Sequence, residues 1–171
     1  MKHFIILLLL ICNNLNSKLQ AQENENHQET FAKFIITNGT VNGEDITPRL
    51  INEKPYFVIY RIIKTNDLCM ANFCQTSNSQ SSGSIYSILK KRIEANDENY
   101  QIDTLNFKWD YSNTYDEVKG TANVELSKVF TPEGVYFTMN ILPENSDVLV
   151  YKGYMEETNE SKVIDLKNDL K

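Results

Sequence analysis

The chain reads as all-β: an antiparallel up-and-down barrel, or a barrel-like sandwich, of about eight or nine strands. Three observations predict it. Apolar and polar residues alternate with period two through most of the middle of the chain. The breaks between these runs are short and carry turn residues. No stretch presents a convincing long helical face, and strands without helices to cover them must close on themselves or stack as two sheets.

The first strand is "FAKFIIT", residues 31–37, followed by "NGTVNGEDITP" with Asn-Gly turn signals at 38–39 and 42–43. "PYFVIYRII", 55–63, is β-branched and aromatic on both faces, which suits a central strand. "GSIYSILKKRI", 83–93, fits a helical face nearly as well as a strand. Its neighbours and the Ser/Gly turn before it favour a strand. "NYQID", 99–103, changes parity relative to Leu105, so a bulge is expected near Asp103.

In "LNFKWDYS" the row Leu105, Phe107, Trp109 and Tyr111 points one way and Asn106, Lys108 and Asp110 the other. "TANVELSKVF" sets Ala122, Val124, Leu126 and Phe130 on one face, with Lys128 among them. "TPEG", 131–134, places Pro132 and Gly134 where a turn wants them. "VYFTMNIL", "PENSD" and "VLVYKGYM" then complete a three-strand meander over 121–155.

The ends predict a destination. Lys2 and His3 precede an unbroken apolar run from Phe4 to Ile11, too short for the ~20 residues of a membrane span, so a secretory signal peptide over 1–21 is expected. Cleavage after Ala21 fits best. Ile11 before Cys12 is a poor match to a lipidation site, so no lipid anchor is expected there. The "AQ" ending and the Asn- and Lys-rich composition resemble exported proteins of Gram-negative bacteria. The rest divides into a disordered leader at 22–29, a β-barrel domain at 30–156 and a charged tail at 157–171. Losing residues 1–21 removes Lys2 and Lys18 and no acid, taking the formal charge from −6 to −8. Nucleic acid is therefore not an expected partner.

Size, strand count and the passage from a first strand into "NGTVNGEDITP" resemble lipocalin-like (calycin-like) barrels over most of 30–156. The resemblance implies a barrel that holds a small ligand. It departs from the family pattern at the first strand, which lacks the usual Gly-x-Trp; the sole tryptophan, Trp109, comes much later.

Cys69 and Cys74 stand five residues apart in "CMANFC". Extended chain separates them by ~16 Å, too far for a disulfide, and the odd spacing points them to opposite faces. Two thiols in one strand is the favoured reading; a turn at Asn72 that joins them is the alternative. Cys-x-x-Cys is absent and no ligand set for a metal is evident. Beyond residue 21 the only histidine is His27, which leaves little for nucleophilic or His-ligated metal chemistry. The acidic stretch 94–99 and the pair Asp116 and Glu117 read as polar turns.

The expectation is a non-enzymatic exported barrel, periplasmic or extracellular, with no cofactor, metal or catalytic residue. Leu105, Phe107, Trp109 and Tyr111 are the candidate wall for a small apolar or sugar ligand. The alternative is a filled barrel that acts as a structural or protein-binding module in the cell envelope. A carboxylate hydrolase ranks third.

Overall fold

The computed structural model describes residues 28–76, 80–94, 101–114 and 117–156. The expected signal peptide, Cys12, His27, Asp116, the acidic stretch after Glu94 and the tail from 157 lie outside the described residues.

Nine strands and one short helix follow in order: β1 (Gln28–Val41), β2 (Glu44–Asp45), α1 (Thr47–Glu53), β3 (Pro55–Ile62), β4 (Asp67–Cys74), β5 (Gln80–Glu94), β6 (Gln101–Asn113), β7 (Lys119–Thr131), β8 (Gly134–Pro143) and β9 (Leu149–Glu156). All pairings are antiparallel, and sequential neighbours pair from β3 through β9. β1 pairs with β3 on one side and β9 on the other. Eight strands thereby close into a barrel and β2 is an extra strand on β1. Closure gives each of these eight strands a neighbour on both sides, which explains how so many alternating strands coexist in a small chain; β5 runs on past its β4 partner, with which pairing ends at Ser84.

The turns follow local chemistry. Asn42 and Gly43 both hold positive φ, 51° and 86°, in the two-residue hairpin between β1 and β2, as a primed turn requires. At "TPEG" Thr131 pairs with Gly134 across Pro132 and Glu133, and the Thr131 hydroxyl donates to the Gly134 carbonyl at 3.0 Å.

Four expectations are corrected. Asn38–Gly39 is not a turn: both residues lie inside β1, where the register against β9 shifts between Ile36 and Asn38. Gln28 and Glu29, the end of the expected leader, belong to β1. The bulge expected near Asp103 sits instead in β5, between Tyr86 and Leu89, with Ser87 at φ 53°. It turns Ile85 and Ile88 toward the same interior, and β6 runs through Asp103 in unbroken register with β7. Finally, Thr47–Glu53 is helical where no helix was expected; Pro48 occupies its first turn, where proline is well tolerated.

α1 lies at the end of the barrel where β1 finishes and β3 begins, and it sends Leu50 into the core. A β-carbon on Gly39 would stand 3.2 Å from a Leu50 methyl and 2.9 Å from the Tyr151 ring, so glycine leaves the room these two side chains use. Tyr151 is partly buried there, 5.6 Å from Phe57 between ring centroids. Burial, helped by nearby Cys74, pushes its hydroxyl up to about 12. Below pH ~10 the phenol is neutral in folded and unfolded chains alike and the shift has no effect. Between about 10 and 12 only the unfolded chain ionises, so stability falls as pH rises, by roughly 2–3 kcal/mol at full effect. Urea midpoints at pH 9 and 11.5 should show this extra loss in the wild type and not in Tyr151→Phe.

Gly153 on β9 meets the backbone of β1. A β-carbon there would stand 1.9 Å from the Ile35 carbonyl oxygen. Gly153→Ala must force two hydrogen-bonded strands apart at the seam that closes the barrel. A loss of at least about 1–3 kcal/mol is expected, the range for overpacking, read as a lowered urea midpoint.

Candidate functional site

The four residues of the aromatic row do share one inward face of β6. Leu105, Phe107 and Trp109 are 6%, 4% and 4% exposed, and Tyr111 packs against the same core. Trp109 meets Phe57 edge-on at 6.4 Å and Tyr111 at 5.1 Å. Its indole N–H donates to the Met70 carbonyl at 3.2 Å, which meets the polar requirement of a buried tryptophan. Around the row, Met70, Leu126 and Met139 have no exposed surface at all. No space large enough for a water molecule adjoins those three side chains.

One end of the interior is charged. Asp103 (4% exposed) and Lys128 (7%) stand opposite each other in register on β6 and β7. Gln101 donates to the Asp103 carboxylate at 3.3 Å, and the Lys128 ammonium lies 5.5 Å from the Phe130 ring.

Both cysteines carry thiols and no disulfide joins them. β4 runs straight through Asn72, so the two side chains take opposite faces as the odd spacing requires. Cys69 lies on the outer side beside Tyr60 and Ser84, and its burial raises the thiol pKa. Cys74 lies on the inward register near α1, its sulfur 3.9 Å from a Glu53 carboxylate oxygen. Glu117 is exposed with φ 58°, a loop residue. Among the described residues no group of three His, Cys, Asp or Glu side chains is placed to hold a metal ion.

One open feature among the described residues is on the outside. The outer wall of β5 to β8 carries a recess of about 430 Å³, bordered by Ser87, Leu89, Asn106, Lys108, Asn123, Glu125, Asn140 and Leu142. Phe107 and Val124, whose side chains enter the core, contribute its floor. Strand pairing sets two adjacent rungs across this wall. Leu89, Asn106, Glu125 and Asn140 form one; Tyr86, Lys108, Asn123 and Leu142 form the other. The β5 bulge, with its left-handed Ser87, borders the recess, and bulges of this kind re-aim side chains beside binding sites.

Several contacts fix the wall. Asn140 donates to the Glu125 carboxylate at 3.1 Å. The Tyr86 hydroxyl donates to Asp110 at 3.0 Å, which pushes the phenol pKa up, and Thr121 donates to the same carboxylate oxygen at 2.7 Å. Leu89 is 71% exposed and Leu142 43%. Sequence reasoning set Asn106, Lys108 and Asp110 on the face opposite the aromatic row and Leu89 within an apolar run, and nothing in the sequence brought these residues together. Comparison with known protein families, curated proteins and solved structures found no match.

Proposed function

We propose that this chain is a non-enzymatic, exported β-barrel binding module of lipocalin-like architecture, with a structural interior and its recognition surface on the outer wall of β5–β8. The observation that carries the reading is the state of the aromatic row. Trp109 is 4% exposed, its N–H is bonded to Met70 and its ring is held between Phe57 and Tyr111. A side chain with its polar group and both flanks engaged has little left to offer a ligand. The recess beside the β5 bulge is open to solvent and holds polar side chains on a rigid strand scaffold. Its volume falls in the ~300–1,000 Å³ range of small-molecule sites. Export rests on the N-terminal segment and the expected cleavage after Ala21.

The test is a chemical-shift map of the mature, ¹⁵N-labelled chain titrated with short glycans and fatty acids. Saturable shifts at Ser87, Leu89, Asn106, Asn123 and Asn140 are expected. Saturable shifts centred on Phe57, Met70 and Trp109 would place recognition in the lumen and overturn the reading.

A further inference from the structure

We infer that the outer-wall recess is a subsite for an uncharged carbohydrate; this rests on the outer-wall reading above and names its ligand class. The argument starts from the hydrogen-bonding inventory. Asn106, Asn123 and Asn140 stand on three adjacent strands of the wall. Each carboxamide presents two N–H donors and an acceptor oxygen at one planar tip. Sugar hydroxyls both donate and accept, and a carboxamide answers both roles at once. Asn140 is already steadied by its bond to Glu125. Asn106 and Asn123 make no side-chain hydrogen bond to another described residue, so their capacity is available to a ligand.

Spacing agrees. Neighbouring strands lie about 4.8 Å apart and same-face residues along a strand about 6.8 Å. The amides thus form a grid on the scale of one to two pyranose rings. Leu89 and Leu142, exposed at opposite corners of the two rungs, give apolar surface to the C–H faces that a sugar ring also carries.

Charge selects against other classes. Lys108 and Glu125 border the same recess and offset one another. A phosphate or carboxylate would meet one cation, Lys108, beside one acid, Glu125, on the recess border, in a chain of net charge −6. A protein partner would need about 800 Å² of contact per side and buried aromatic or arginine anchors; the recess is lined by no arginine, its aromatic Phe107 is turned into the core, and Tyr86 on the adjoining rung is bonded to Asp110.

The experiment is calorimetric titration of the exported chain with a panel of neutral gluco-, manno-, galacto- and xylo-oligosaccharides, paired with the shift map. At least one neutral oligosaccharide should bind and move the recess amides. Its affinity should stay within about twofold between 50 and 500 mM NaCl, because no ion pair is formed. Asn106→Ala with Asn123→Ala should weaken it about tenfold or more at an unchanged melting temperature. Recess shifts produced only by charged ligands or peptides, with no response to any neutral sugar, would overturn the carbohydrate inference and leave the outer-wall reading standing. Saturable shifts in the lumen alone would overturn both.

Discussion

Trp109→Ala is expected to cost about 3–5 kcal/mol of folding stability, the range for truncating a fully packed large aromatic side chain. The indole fills the space between Phe57 and Tyr111, and its removal empties a region whose neighbour Met70 has no exposed surface. The Met70 carbonyl would also lose the indole N–H that it accepts. Leu89→Ala is the control. Leu89 is 71% exposed on the outer wall, so truncation there should stay within about 0.5 kcal/mol. Urea unfolding followed by circular dichroism compares the two. A Trp109→Ala loss as small as that of Leu89→Ala would mean that the indole borders open space, as a ligand wall would.

Lys128→Ala is expected to be destabilising by about 1–3 kcal/mol, because it removes a buried side chain that packs beside the Phe130 ring and faces Asp103 across the rung. Opposite charges on facing residues of adjacent strands bring their β-carbons within about 5.5 Å. Gln101 also donates to Asp103. Replacing both residues, Asp103→Leu with Lys128→Met, should recover most of the loss, since an apolar pair of similar volume avoids desolvating either ion. A double-mutant cycle read by urea midpoint isolates the coupling. Losses in the two single variants that simply add would show that the two charges do not depend on each other.

The charged rung also marks where the sequence misleads. Period-two reading located the strands because most inward positions are apolar, and the row from Leu105 to Tyr111 does share one face. At the start of β6 the rule inverts. Asp103 points into the barrel while Ile102 points out, so apolar parity imitates a bulge that is not there. The real bulge, at Ser87 in β5, hides in a run where Ile85, Ile88 and Leu89 satisfy a helical pattern equally well. Lys128 was visible on the inward face of β7 before the fold was known, although its opposite partner was not. α1 escaped because a Thr-Pro pair after two Asn-Gly signals reads as one more turn, whereas its stability comes from Leu50 packing against the barrel end. The recess was illegible for a stronger reason. Asn106, Asn123 and Asn140 become neighbours only through the register of β6 with β7 and of β7 with β8. Side-chain type alone says "solvated strand face", and a one-residue slip would send every one of them into the core.

The central claim is that the interior is structural and recognition lies outside, and the single tryptophan tests it most directly. Trp109 emission should be recorded for the mature chain with and without acrylamide, then during titration with fatty acids and retinoids. The account predicts a blue-shifted maximum, weak acrylamide quenching and no saturable change with any of these apolar ligands. A saturable change, shared by ligands that compete with one another, would place a pocket at Trp109 and contradict it.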